Sequence, residues 1–451
     1  MKKKLAIITL GCQMNRSDSE WVSGLLADDY DYTDTVEGAD VVVVNTCAVR
    51  DKAEQKFFSL MGRLGPMKSK NPQMTLCVGG CIAQELADGI VRRAPLVDVV
   101  FGTRAIDRFP TLLKTYQETG HRQIDVGESD DYDDYPMRRS SAVTGWISIM
   151  RGCDNRCSYC IVPTTRGAEQ SRPMDTVVRE AVELGERGYK EIWLLGQNVN
   201  SYGKGLVPTA DFATLLARID SESSIPWVRF MTSHPKDLSD RLIDAMGSLR
   251  SVTPALHLPI QSGADRILAA MDRGYTVQHY FNRVERLRRA VPDLSLTADV
   301  IVGFPGESDS EFEATLVALD RAQFDNIYLF KYSPRPGTPA ATLPEAVDPD
   351  VAQRRFEIVQ RRQKEITGQR LAARVGEETV ILVDGPSRKD DHRYAGRTPQ
   401  NITVNITSAC DLTGQFVPVR IVASRQFSLE GESDTSGISE RSSLALQGVR
   451  E

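Results

Sequence analysis

Cysteine is scarce in this chain, eight in 451 residues, which is too sparse for a disulfide-stapled scaffold in a chain too large to need one. No run approaches the ~20 apolar residues of a membrane span. Neither sign of charge dominates. With 55 basic against 61 acidic residues and a net charge of −6, nothing global argues for a nucleic-acid partner, so any such case must be local. The 41% hydrophobic and 26% charged content is that of an ordinary globular protein and excludes a disordered or collagenous one. The opening Met1-Lys-Lys-Lys resembles the start of a leader, but the apolar run Leu5–Leu10 is six residues, shorter than the ~7–15 of a signal core. It reads as a buried strand. The expected compartment is the cytoplasm, where thiols stay reduced and clustered cysteines suggest metal or catalysis.

What is present is a rhythm of apolar runs and helical stretches. Lys4–Leu10, Asp40–Asn45, Met74–Val78 and Val97–Phe101 read as strands separated by helix-like segments. Continuous β-branched runs alternating with helices indicate a doubly wound parallel sheet. Cys12, Cys47 and Cys81 recur at intervals of 35 and 34 residues, each just past a strand, where open α/β sheets bind ligands. Their thiols should therefore converge. Cys77 falls inside its strand, ~13 Å of rise before Cys81, and reads as buried filler. Residues 119–138 are acidic and aperiodic, as in a linker.

A second α/β series follows over 139–371, with strands expected at Trp146–Arg151, Glu191–Gly196, Trp227–Thr232, Ala255–Ile260, Leu294–Val302 and Asn326–Tyr332. Six repeats rather than eight indicate a partial (β/α)6 barrel with its chemistry at the strand C-termini. Residues 354–370 form a basic helical stretch. Residues 372–436 carry short β-rich runs (378–383, 401–406 and 416–423), as in a small all-β barrel. Cys410 lies there, remote from any partner. The tail 437–451 is Ser- and Gly-rich and reads as disordered.

Cys153, Cys157 and Cys160 follow the first strand of the second series. Three thiolates within eight residues suit three irons of one [4Fe–4S] cubane and leave the fourth iron open. A zinc knuckle is the alternative, but no fourth ligand stands at knuckle spacing. Cys-x-x-x-Cys-x-x-Cys in this place resembles the radical S-adenosylmethionine (SAM) superfamily. The segments Leu194–Asn200, Thr232–Pro235, Leu256–Gly263 and Asp299–Glu307 extend the likeness. Membership would imply SAM on the open iron and a 5′-deoxyadenosyl radical. Gln197, Ser233 and Gln261 are the candidate SAM contacts, while His234 and His257 read as structural.

Gly11-Cys12-Gln-Met-Asn15, Asn45-Thr-Cys47-Ala-Val-Arg50 and Gly79-Gly80-Cys81 resemble the amino-terminal domain of the methylthiotransferase branch. There, three cysteines hold a second [4Fe–4S] cluster that carries the sulfur to be inserted. The terminal barrel resembles the TRAM domain, associated with RNA. By this resemblance the chain acts on carbon 2 of isopentenylated adenosine 37 in the tRNA anticodon stem-loop. One SAM would methylate the sulfur and a second would supply the radical. A reductase would donate the electrons, and the protein would be a monomer without a membrane partner. Arg388, Lys389, Arg393, Arg397, Arg420 and Arg425, with the basic helix, are the candidate phosphate contacts. Nearby acidic residues leave that reading even with a solvated surface on charge alone. Leu10 and Thr164 stand where the family usually has Tyr. The alternatives are methylthiolation of threonylcarbamoyl-adenosine or of a ribosomal-protein aspartate, and a non-catalytic iron–sulfur RNA-binding protein.

Overall fold

The computed structural model describes residues 2–48, 51–129, 132, 134–387 and 390–433. A first sheet comprises β1 (Lys3–Thr9), β2 (Tyr30–Tyr32), β3 (Val41–Thr46), β4 (Thr75–Gly80), β5 (Val99–Phe101) and β6 (Gln123–Asp125). All its pairings are parallel, in the order β2-β1-β3-β4-β5-β6. β3 and β4 are buried along their whole length, which explains why their sequences run apolar without alternation. Helices Gln13–Leu25 and Phe109–Thr119 cover one face and Asp51–Lys70 the other. The strand order reverses between β1 and β3, making this the topological switch point where such sheets form a ligand crevice.

β2 and β6 were not expected as strands. Each has three residues, too few to show a period. β6 corrects the linker reading of 119–138, because Gln123–Asp125 forms the sheet's edge. Further along, Tyr135 stacks on Trp21 with ring centroids 4.2 Å apart. The segment is a strap held down by its aromatic rings, which an acidity count does not see.

The second unit contains β7 (Thr144–Ser148), β8 (Met150–Arg151), β9 (Gln170–Ser171), β10 (Glu191–Leu195), β11 (Trp227–Phe230), β12 (Ala255–His257), β13 (Ser295–Val302) and β14 (Asn326–Lys331). The short β8 and β9 pair with each other, and the other six form two parallel triplets, β11-β10-β7 and β12-β13-β14. A parallel bridge between Val228 and Val252 joins the triplets. The result is an open six-stranded barrel with its seam between β7 and β14. β15 (Glu378–Ser387), β16 (Asp390–Arg397), β17 (Thr403–Thr407), β18 (Phe416–Ser424) and β19 (Leu429–Glu432) close a small barrel. β16 escapes an apolar scan because its sequence, Asp-Asp-His-Arg-Tyr-Ala-Gly-Arg, is largely polar.

The two flanking units occupy opposite ends of the central barrel. At the C-terminal mouth, Met14 packs among Trp146, Trp193 and Leu195, and Ser148 donates to its sulfur at 3.3 Å. At the other end, Trp227 packs with Val380, Leu382 and Phe416 of the small barrel. Among the described residues no helix is long and apolar enough to cross a membrane. The tail 437–451 lies outside the described residues.

Candidate metal and cofactor centre

Cys12 follows β1 at the N-cap of helix Gln13–Leu25, Cys47 follows β3, and Cys81 begins the helix after β4. The first two therefore flank the switch point. A hydrogen-bond net locks the three turns together. Asn15 donates to the Thr46 carbonyl at 2.6 Å, and Asn45 donates to the Asn15 carbonyl at 2.8 Å. The Thr46 hydroxyl donates to the Gly79 carbonyl at 2.6 Å and accepts from the Ile82 N–H at 3.2 Å. The polar residues beside each cysteine are thus scaffold. Gly11 has φ of +124°, and a Cβ there would stand 2.4 Å from that of Cys47, so only glycine permits this approach.

Hydrogen bonding with Cys47 and the charge of Arg166 outweigh burial and bring the Cys12 thiol down to about 6. Burial raises Cys81, with Arg166 opposing. Arg166 was not among the expected site residues. It comes from the central unit, six residues after Cys160, and pairs with Asp18 at 2.7 Å. The sequence signal was its place in Val162-Pro-Thr-Thr-Arg-Gly167, directly behind a cysteine motif.

The central thiols lie on the loop after β8. The Cys153 N–H donates to the Gly167 carbonyl at 3.1 Å and that of Cys160 to the Cys157 carbonyl at 3.0 Å. A Cβ on Gly152 would meet the Ala168 carbonyl oxygen at 1.9 Å, so the loop again depends on glycine. Arg273, also missed from sequence, donates to the Cys157 sulfur at 3.2 Å and to the Tyr159 hydroxyl at 3.4 Å. Burial, reinforced by the neighbouring thiols, pushes Cys160 up to about 12 and raises Cys153. Closely spaced, desolvated thiols of this kind become thiolates when a cationic metal centre compensates them.

Among the described residues no group of three His, Cys, Asp or Glu side chains is drawn in around a single metal ion, the two trios included. A cubane asks for something else, one thiolate on each of several irons, and both trios offer that donor set. Cys77 stands apart. It packs with Val41, Val43 and Val99, whereas Cys81 belongs to the cluster on the other face. Cys410 is exposed.

Gln197, Ser233 and Gln261 lie just past β10, β11 and β12 respectively. Each carries a polar atom buried without a hydrogen-bond partner, Gln197 Oε1, Ser233 Oγ and Gln261 Oε1, as do Asn198 at Oδ1 and His234 at Nε2. An unsatisfied buried polar atom costs about 1–3 kcal/mol, so a polar ligand that reached these strand ends would relieve that cost. The amino, carboxylate and ribose groups of SAM suit that role. His234 is held neutral, its pKa lowered to about 2 by burial and by the charges of Arg273 and Lys236. His257 bonds Thr297 at 3.0 Å.

Much of the basic helix (354–370) is structural rather than free for RNA. Arg355 pairs with Glu307 at 2.8 Å, Arg370 with Asp325 at 2.8 Å and Arg362 with Asp320 at 2.5 Å. In the small barrel, Arg397 pairs with Asp384 at 2.7 Å, while Arg393 and Arg425 share Glu430. Arg420 is exposed, and Arg388 and Lys389 lie outside the described residues. Arg361 and Lys364 line a groove of about 990 Å³ along β14, with Tyr328, Phe330, Phe356 and Phe427. Phe427 is 60% exposed and Tyr328 43%.

Residues 4–102 match the family described as Uncharacterized protein family UPF0004, residues 147–319 the radical SAM superfamily and residues 372–433 the TRAM domain. A Syntrophobacter fumaroxidans protein named tRNA-2-methylthio-N(6)-dimethylallyladenosine synthase is 45% identical, the match covering 95% of each chain. A Nitrosomonas europaea protein of the same name is 44% identical, over 96% of this chain and 99% of its own. Among solved structures, the radical S-adenosylmethionine methyltransferase TsrM of Kitasatospora setae aligns with a TM-score of 0.57, at 14% identity, over 75% of each chain. That is a likeness of fold.

Proposed function

The chain belongs to the tRNA-2-methylthio-N(6)-dimethylallyladenosine synthase family, and on that premise we propose that it exchanges the carbon-2 hydrogen of N6-isopentenyladenosine 37 in tRNA for a methylthio group. The supporting observation is the pair of thiol trios, one past the ends of three parallel strands and the other on the loop after β8, linked by the short segment from Cys160 to Arg166. In this reading Cys153, Cys157 and Cys160 hold one [4Fe–4S] cluster and Cys12, Cys47 and Cys81 a second. Such clusters with SAM supply the radical and the sulfur that an aromatic C–H without an acid–base handle requires.

The protein's own part is positioning. Gln197, Ser233 and Gln261 orient SAM from the strand ends, and Arg273 fixes the sulfur of Cys157. The groove beside β14 opens next to the barrel seam and gives the anticodon loop a lateral approach, with cations for phosphates and rings for bases. The target base leaves its stack to reach the mouth. The working units are the N-terminal sheet unit, which begins at residue 3 and extends past 118 to include β6, then 139–371 and 372–436. A monomer in the cytoplasm, served by a reductase, fits this role.

The test is a nucleoside digest of tRNA from a deletion strain. Loss of 2-methylthio-isopentenyladenosine, with isopentenyladenosine accumulating, is expected. An unchanged level overturns the proposal. Loss of a 2-methylthio threonylcarbamoyl nucleoside instead would move the activity to that substrate.

A further inference from the structure

Arg166 is only 6% exposed, although a guanidinium is among the costliest groups to bury without compensation. It hangs from the five-residue helix Val162–Arg166, which starts two residues after Cys160. Its neighbours belong to the other unit: Asp18, whose carboxylate it contacts at 2.7 Å, and the thiols of Cys12 and Cys81, on which its charge acts. The segment is anchored on both sides. The Thr103 hydroxyl donates to the Thr165 carbonyl at 2.5 Å, and the Gly167 carbonyl accepts the Cys153 N–H at 3.1 Å. One short stretch therefore ends the loop of one trio and inserts a cation into the other.

One carboxylate already balances this cation. A second source of negative charge in the same pocket is the trio itself, once its thiols ionise to bind iron. We propose that Arg166 is a positioning residue that tunes the electron affinity of the group held by Cys12, Cys47 and Cys81, acting from across the boundary between the units. The proposal rests on the reading that this trio holds an iron–sulfur cluster. Net charge and hydrogen bonding at the sulfurs are principal determinants of such a cluster's potential, and a buried cation is weakly screened. Asp18 is the counterweight, so the two residues act in opposite directions.

A purely structural latch makes a different prediction. Breaking an ion pair from either side would then perturb the site alike. The electrostatic role requires opposite signs.

The experiment uses the full chain with Cys153, Cys157 and Cys160 replaced by Ala, reconstituted anaerobically, so that only the first trio can hold iron. EPR-monitored redox titration then compares Arg166→Met, Arg166→Lys and Asp18→Asn. Arg166→Met should lower the reduced-to-oxidised ratio at a fixed potential by about tenfold or more, equivalent to ~59 mV for one electron. Arg166→Lys should stay near the parent, and Asp18→Asn should move the potential upward. Should Arg166→Met not retain iron, the sign of the Asp18→Asn shift decides alone. Equal potentials across the set, or shifts of one sign from both partners, overturn the role of Arg166. Absence of a cluster in the parent with its first trio intact overturns the cluster reading and this inference with it.

Discussion

Arg229 donates from Nη1 to the Pro399 carbonyl at 2.6 Å and from Nη2 to the Thr398 carbonyl at 2.8 Å, while its Nε pairs with Glu191. The two side chains are 1% and 0% exposed. Arg397, from the same stretch of the small barrel, reaches Glu191 at 3.4 Å, and Trp193 Nε1 donates to it at 2.8 Å. Burial would raise the Glu191 pKa, but Arg229 and Arg397 together hold it below the ordinary carboxylate range. One buried carboxylate thus joins the base of the central barrel to the terminal one.

Arg229→Met leaves Glu191 and two carbonyls without their main partner. We expect a loss of about 3–5 kcal/mol, the usual cost of stranding one member of a buried pair, read as a lower urea midpoint and faster proteolysis near residue 372. The double variant Arg229→Met, Glu191→Met should recover part of that loss, because apolar replacement of both members is tolerated. A double variant no better than the single one would mean that the carbonyl contacts dominate.

Ser233 offers a test that separates binding from folding. Its hydroxyl is buried without a partner, so Ser233→Ala should leave the melting temperature of SAM-free protein unchanged or slightly higher. SAM binding should weaken roughly five- to tenfold, about 1 kcal/mol for one hydrogen bond. Calorimetric titration of reconstituted protein beside melting of the SAM-free chain checks both halves. A destabilised protein with unaltered SAM affinity would contradict the assignment.

Along β14, Phe427 and Tyr328 are exposed rings beside Arg361 and Lys364. Phe427→Ala should weaken binding of an isopentenylated anticodon stem-loop by about 1–3 kcal/mol, the value of one stacked base. Arg361→Gln and Lys364→Gln should each flatten the plot of log affinity against log salt by ~0.7. Arg362→Gln serves as control, since Arg362 is committed to Asp320 and Glu365 and should not alter the slope. Fluorescence anisotropy over a salt series measures all of these.

The contrast between Arg361 and Arg362 also marks how far the sequence could be read. Both are basic residues of one helix, and what separates a free cation from a paired one is side-chain placement, Arg362 reaching Asp320 of a helix 42 residues earlier and Glu365 of its own. The cysteines were legible because strand ends and chain spacing fix them locally, as they fix the exclusion of Cys77. The places of Gln197, Ser233 and Gln261 past strand ends were legible because the apolar runs before them are local, and barrel chemistry sits at strand C-termini. Arg166 and Arg273 were not, because each acts on a thiol reached only through tertiary packing. β6 and the Tyr135 strap were hidden for a related reason: short edge pieces are specified by what they pack on.

Glu311 gives the chain a predictable acid sensitivity. It accepts from Arg266 at 2.5 and 2.6 Å and from the Ser308 N–H at 2.8 Å, completing the capping box of helix Asp309–Ala322. Arg266 first, then Ser308, hold its carboxyl at about 2 against an ordinary 4.5. A folded value below the unfolded one means that the stabilisation is fully present above 4.5 and is lost as pH falls toward about 2. Glu311→Gln should therefore destabilise most near neutrality, and its difference from the parent should shrink through that window. Added salt should narrow the neutral-pH difference, since Arg266 is 58% exposed and open to screening. Urea unfolding of the cluster-free chain at stepped pH measures the difference directly. A difference independent of pH would show that Glu311 stabilises the helix end through its shape and hydrogen bonds, with no contribution from its charge.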